Sequence, residues 1–98
     1  MHRDPNAPMA TFALGQIYIT PGADQAIEES QQTPRTFLYR HQTGDWGDLG
    51  EEDQESNDRA VSEGERIFSA YHTDRGVKIW VITEWDRSIT TILLPWEY

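Results

Sequence analysis

Hydrophobic and polar residues alternate near the N-terminus and again through the last third of the chain. Ile17 and Ile19 alternate with Gln16, Tyr18 and Thr20, which predicts a short half-buried strand within residues 15–20. The last third predicts a three-stranded antiparallel meander, because three alternating segments are separated by short turn sequences. These segments are residues 66–73, 77–85 and 88–94.

The middle of the chain has the period of a helix. Threonine-proline pairs at 20–21 and 33–34 each supply an N-cap residue followed by proline at the first helical position. Apolar residues spaced three and four apart then predict one helix to residue 30 and a second to about residue 42.

A third helix is predicted over residues 51–63 and ends at Gly64. Its two sides differ in chemistry. The inward positions are Leu49, Asn57, Ala60 and Val61, and the outward positions are Glu51, Glu55, Asp58 and Ser62. The helix is therefore weakly anchored and strongly acidic on its outer side.

The order of strand, three helices and three strands predicts an α+β fold with the helices on one side of an antiparallel sheet. A chain of 98 residues has the length of one domain, assigned to residues 11–98, and residues 1–10 are interpreted as a flexible leader. No apolar run has signal-peptide or membrane-spanning length, which favours a cytoplasmic protein. The absence of cysteine excludes disulfides and thiolate metal sites.

Negative charge is concentrated in one part of the chain. The net charge is −9, and residues 45–65 contain nine carboxylates against a single base, Arg59. This segment therefore carries −8 of the −9. A negative field repels phosphate backbones, so direct binding to nucleic acid or anionic membranes is disfavoured and a basic partner is favoured.

The acidic segment is interpreted as a binding surface for a basic partner, because carboxylates in a row on a helix imitate the charge of a nucleic-acid backbone. The residues assigned to this surface are Asp45, Trp46, Asp48, Glu51, Glu52, Glu55 and Asp58. Two alternatives stay open: a solvated acidic face without a partner, and a Mg²⁺ or Ca²⁺ site. The spacing does not follow a calcium loop, so no metal ligand and no cofactor is assigned.

No catalytic residue is assigned. His41 could pair with Asp45 or Asp48, but it lies on the buried stripe of the second helix, where a packing role is favoured. No serine or cysteine stands in a nucleophile elbow, and no glycine-rich phosphate loop follows a strand. The chain is therefore predicted not to be an enzyme.

The tryptophans allow two interpretations. Trp46 either packs over the sheet as an anchor or projects as an interface residue. Trp80, Trp85 and Trp96 gather near the meander and the C-terminus, and an uncovered second sheet face would make them an apolar patch suited to a homodimer.

Two motifs resemble a family of small, largely uncharacterised bacterial proteins from plasmids, prophages and other mobile elements. The first is GDWGDL at residues 44–49 with the acid and Asn57 that follow. The second is ITE-x-DRS-x-TTILLP at residues 82–95. The resemblance spans residues 15–98 and brings no reaction or cofactor. It implies an action on host defence or on maintenance of the element.

The sequence thus predicts a non-enzymatic interaction protein of a mobile element. Its concrete form is an inhibitor that imitates nucleic acid and blocks a host defence nucleoprotein complex, such as a CRISPR or restriction effector. A toxin-antitoxin component and a small metal-dependent hydrolase are the alternatives. An RNA-cleaving toxin is disfavoured because eight basic residues spread singly make no patch.

Overall fold

The computed structural model describes residues 9–98. Three helices and four strands are followed by a short 3₁₀ helix. In chain order these are β1 (Gln16–Ile19), α1 (Pro21–Glu29), α2 (Pro34–Gln42), α3 (Glu51–Glu63), β2 (Ile67–His72), β3 (Lys78–Thr83), β4 (Ile89–Leu93) and the 3₁₀ helix (Pro95–Glu97). The predicted α+β class is confirmed, and the strand and helix bounds agree with the predictions to within two residues. Most of the predicted leader lies outside the described residues.

The sheet is mixed, which corrects the prediction of a purely antiparallel meander. Its strand order is β1-β4-β3-β2. The last three strands pair antiparallel as predicted, but β1 joins them as a fourth strand, parallel to β4. Hydrophobic alternation identifies a strand without identifying its neighbour, and this neighbour lies more than 70 residues away in the sequence.

All three helices pack on one face of the sheet, as predicted. The main core joins Ala23 and Ile27 of α1 and Phe37 of α2 to Ile79 and Val81 of β3. A second cluster joins α3 to β2. The strand register places the buried sheet residues of both clusters on the same face.

The helix ends follow the signals in the sequence. Thr20 caps α1 by accepting a hydrogen bond from the Ala23 amide, and Pro21 occupies the first turn. Helix α3 ends at Gly64 in the left-handed conformation, with φ of 71°. Glu97 was not expected to take part, yet it accepts hydrogen bonds from the Gly22 amide and the Thr20 hydroxyl. The C-terminal 3₁₀ helix is thereby fixed to the start of α1.

Candidate functional site

Part of the acidic segment covers the outer edge of β2, and we call this part the strip. The Asp48 amide donates to the Ala70 carbonyl at 2.6 Å, and the Ala70 amide donates to the Trp46 carbonyl at 3.2 Å. Asn57 continues the strip, since its side chain donates to the Phe68 carbonyl at 2.6 Å and accepts from the Phe68 amide at 3.2 Å. The segment therefore satisfies edge groups that would otherwise be open to a foreign strand.

Gly47 permits this close approach. Its φ is 78°, and a Cβ atom built on it would lie 2.0 Å from the Ala70 carbonyl oxygen. Both the conformation and the space therefore require glycine. The second glycine of the GDWGDL motif is explained by the edge of the sheet rather than by a binding function.

The structure places Trp46 in the core, so its indole ring is not available to a partner. The side chain is 4% exposed, stacks on Phe12 and meets the His41 ring edge-on. Its Nε1–H donates to Asp58 at 2.9 Å. This position agrees with the interpretation of Trp46 as a packing anchor. It corrects the interpretation of Trp46 as an interface residue, because the ring is buried between Phe12 and α3.

Two more of the assigned carboxylates are engaged within the chain. Asp45 forms a two-pronged ion pair with Arg40, with Nε to Oδ2 at 2.7 Å and the second contact at 3.3 Å. The Arg40 guanidinium holds the pKa of the Asp45 carboxyl below its usual value. Asp48 lies 2.5 Å from His72 Nδ1. With Asp58 bonded to Trp46, three of the seven assigned residues have intramolecular partners for their carboxylates.

The remaining three, Glu51, Glu52 and Glu55, are exposed on α3. Within residues 9–98 no ion pair engages any glutamate of this helix. Glu51 and Glu52 lie in the first turn, where negative charge stabilises the helix through its dipole. These three glutamates are the part of the predicted surface without an ion-pair partner. Together with their exposed neighbour Asp53 they form what we call the acidic face.

His41 belongs to a buried chain of hydrogen bonds whose direction can be derived. Thr90 donates to the Leu14 carbonyl at 2.7 Å, so its oxygen accepts from Thr83 at 2.7 Å. Thr83 has then used its proton and accepts from His41 Nε2 at 2.9 Å. Nδ1 is left to accept from Ser69 at 2.5 Å. The neutral tautomer of His41 with its proton on Nε2 therefore satisfies every side chain in this series of hydrogen bonds.

The Ser69–His41 pair has the distance of a nucleophile and its base but not the access. Both side chains are completely buried. Burial, with a smaller contribution from the positive charge of Arg87, lowers the pKa of His41 to about 3. A neutral, enclosed imidazole bonded on both nitrogens fits the packing role predicted for it.

The depressed pKa of His41 predicts a loss of stability in mild acid. His41 binds a proton near pH 6.5 in the unfolded chain but not in the folded chain. The stability that depends on neutral His41 is therefore fully present above pH 6.5 and is lost as the pH decreases toward 3. Between pH 7 and pH 5 the free energy of unfolding should fall by about 2 kcal/mol. Urea denaturation at a series of pH values measures this.

The matched variants are H41Q, whose amide can both donate and accept, and H72Q at the exposed histidine. H41Q should remove most of the slope between pH 7 and pH 5, whereas H72Q should keep it. An unchanged slope in H41Q would contradict the assignment of the slope to the buried imidazole.

The second motif also has structural roles. Arg87 donates to the Ala60 carbonyl at 2.8 Å and to the Glu65 carbonyl at 2.5 Å, so it holds the C-terminal end of α3. Asp86 closes its own turn by accepting from the Ser88 amide and hydroxyl, and these bonds lower the pKa of its carboxyl. Trp46 of the first motif and Arg87 of the second therefore both help to position α3 against the sheet.

The tryptophans near the C-terminus are divided by the structure. Trp80 is half-buried on the sheet face opposite the helices, where its ring meets Phe68 and Tyr98 edge-on at 5.0 and 5.9 Å. Trp85 and Trp96 are 67% and 74% exposed. Tyr98 thus covers part of this sheet face, and a homodimer through this face stays a prediction.

A surface that the sequence did not indicate lies along β1. A groove of about 760 Å³ runs between this strand and α2, and its lining includes Leu14, Ile17, Leu38 and Tyr39. The alternation at Ile17 and Ile19 predicted a half-buried strand, and Ile17 on its apolar side is 45% exposed. A terminal position in the sheet, which the sequence does not reveal, leaves it uncovered.

Among residues 9–98 no group of three histidine, aspartate or glutamate side chains is arranged to hold a metal ion. None of the described helices has the length and apolar character needed to cross a bilayer. Comparisons with family models, curated proteins and solved structures found no match to this chain.

Proposed function

We propose that this protein is a non-enzymatic interaction protein whose acidic face binds a basic, nucleic-acid-binding surface of another protein. The observation that supports the proposal is that some carboxylates of the acidic segment are bonded within the chain and others are not. Asp45, Asp48 and Asp58 are bonded within the chain, whereas the glutamates of α3 are exposed and unpaired within residues 9–98. Free carboxylates held close together attract a complementary cationic surface.

The density of charge on α3 resembles that of a nucleic-acid strand. The helix carries six carboxylates and one arginine over thirteen residues, a net charge of −5. Its length is about 20 Å, so there is one net charge per about 3.9 Å. One strand of duplex DNA carries a charge every 3.4 Å or so. A surface that binds a phosphate backbone would therefore meet a similar charge density here.

Helix α3, which the sequence predicted to be weakly anchored, is fixed to the domain at several points. Asn57 fixes the middle of α3 to β2 through two hydrogen bonds, and Arg87 holds its C-terminal end. Ala60 packs in the core beneath it. A helix fixed at several points loses little conformational entropy on binding, so more of the electrostatic attraction is realised as affinity.

The resemblance to proteins of mobile elements suggests the class of partner. A mobile element benefits from blocking the nucleoprotein complexes with which its host destroys foreign DNA. In this proposal the protein is an inhibitor of such a complex, for example a CRISPR or restriction effector, and acts by occupying the nucleic-acid channel with ordered carboxylates.

The test is a pulldown from bacterial lysate, freed of nucleic acid by nuclease, at low and at high salt. The natural protein is compared with E51Q/E52Q/E55Q, which leaves the Asp58–Trp46 bond intact. We expect nucleic-acid-binding proteins to be retained at low salt, released by added duplex DNA, and reduced at least about tenfold on the variant, since each lost contact weakens an electrostatic complex.

The control is D24N/E28Q/D74N, which removes the same number of exposed carboxylates outside α3. It should bind as the natural protein does. Equal loss in both variants would mean that net charge alone attracts the partner. Retention that is insensitive to salt, to DNA and to the α3 variant would overturn the proposal.

A further inference from the structure

The two edges of the sheet differ in whether their outer backbone groups are hydrogen-bonded. The outer edge of β2 is sealed by the strip that contains Trp46, Asp48 and Asn57. Strand β1 forms the opposite edge, and within residues 9–98 no strand pairs with its outer side. An open edge is a template for pairing with another strand.

The groups available on β1 follow from its register. The amides of Gln16 and Thr20 donate to the Ser88 and Ile92 carbonyls at 2.9 and 3.0 Å. Alternate residues of a parallel strand bond to the same neighbour, so Gln16, Tyr18 and Thr20 bond toward β4. The amide and carbonyl groups of the residues between them, Ile17 and Ile19, are directed outward.

Apart from its short length of four residues, this edge lacks the usual devices that prevent pairing. Its sequence, QIYI, contains no charge, no proline and no bulge, although the chain has a net charge of −9. Ile17 is 45% exposed and Tyr18 is 51% exposed. The strand is therefore a neutral, partly apolar edge whose outward backbone groups have no partner within residues 9–98.

We propose that β1 pairs antiparallel with β1 of a second copy of this chain, across a two-fold axis at Tyr18. In this register Ile17 of each copy lies opposite Ile19 of the other, and all the outward amide and carbonyl groups of these residues are satisfied by four hydrogen bonds. Tyr18 lies opposite itself, on the face away from the helices, as an aromatic cross-strand pair. The two sheets become one sheet of eight strands.

Charge distribution favours a second copy in this position. Helix α3, which bears the acidic face, packs beside β2, at the far end of the strand order from β1. In the dimer seven strand spacings, about 34 Å, separate the two β2 strands. This distance is several times the Debye length of about 8 Å, so the two acidic helices repel each other little.

The first test is the mass in solution of the 98-residue chain, measured by light scattering over about two decades of concentration because dimerisation follows mass action. We expect a concentration-dependent rise from 11.3 kDa toward twice that mass. The variant Y18K should raise the dissociation constant at least tenfold, because it places like charges directly opposite each other. W85K, at another exposed aromatic residue, should leave it unchanged.

A mixture tests the register itself. Y18K and Y18E should each be monomeric, and their equimolar mixture should recover the dimer, since only a self-opposed residue 18 creates a lysine–glutamate pair. Because the chain has no cysteine, single cysteine variants report the same geometry. Y18C should form a disulfide-linked dimer at least tenfold faster than Q16C, since cysteines at residue 18 alone would face each other within bonding distance.

Two outcomes would overturn the proposal. The protein could remain monomeric throughout, or dimerise equally well as Y18K, which would place the interface elsewhere, for example on the face bearing Trp80. Circular dichroism of each variant confirms that the fold is retained. The result is independent of the α3 pulldown, so either proposal can fail alone.

Discussion

Replacing Trp46 with alanine is expected to lower the free energy of unfolding by about 3–5 kcal/mol. The indole is 4% exposed, and its removal would leave a cavity between Phe12, His41 and α3. It would also free the Asp58 carboxylate from its Nε1–H partner. Because a domain of this size has a total stability of about 5–15 kcal/mol, the variant would lose a large share of it.

Urea denaturation of W46A measures this loss, with W96A as the control. Trp96 is 74% exposed, so W96A should change stability by no more than about 0.5 kcal/mol. W46F should fall between the natural protein and W46A, since it keeps part of the apolar area but cannot donate to Asp58. A loss below about 1 kcal/mol in W46A would contradict the buried position and restore Trp46 as a candidate interface residue.

Replacing Asn57 with leucine should cost about 2–3 kcal/mol and should open the sealed edge of β2. The leucine fills similar space but leaves both the amide and the carbonyl of Phe68 without their side-chain partner. An unsatisfied, partly buried backbone group costs more than the hydrogen bond contributed. The effect has a local component, which distinguishes it from a general loss of stability.

Amide hydrogen exchange measures that local component. In N57L the Phe68 amide should exchange at least about tenfold faster than in the natural protein, beyond the change in the β2 amides that bond to β3. S56A alters the exposed neighbouring position of α3 and should leave Phe68 protected. Unchanged exchange at Phe68 in N57L would show that another group seals this part of the edge.

These two residues show how a motif can be explained by structure before function. Trp46 and Asn57 were singled out by their place in a chain segment rich in charge. Both hold that segment in position, Trp46 by filling the core under α3 and Asn57 by replacing a missing neighbouring strand. What they leave free for a partner is the row of glutamates on the other side of the helix.

Local patterns in the sequence predicted the elements well. The alternation at β3 and the i, i+3, i+4 spacing in α1 depend on residues within one turn or one strand, so they survive without knowledge of the fold. The threonine-proline starts of α1 and α2 and the glycine end of α3 are equally local. The concentration of negative charge in one segment was also fully visible in the sequence.

The candidate site could be predicted only in outline. The sequence located the carboxylates in one segment, but a carboxylate on a surface and one bonded to Arg40 or Trp46 look alike in a linear chain. The bonded partners come from α2 and from the core beneath α3. Their distances depend on how the helices pack, and no spacing rule supplies that information.

The sequence by itself determined the secondary structure, the helix-bearing face of the sheet and the location of the negative charge, because each follows from residues close together in the chain. Only the tertiary structure decided that β1 lies beside β4 and, within residues 9–98, that the edge of β2 is covered, that the edge of β1 is not, and which carboxylates have partners. Those features depend on contacts between residues far apart in the sequence, and such contacts are selected by the packing of the whole domain.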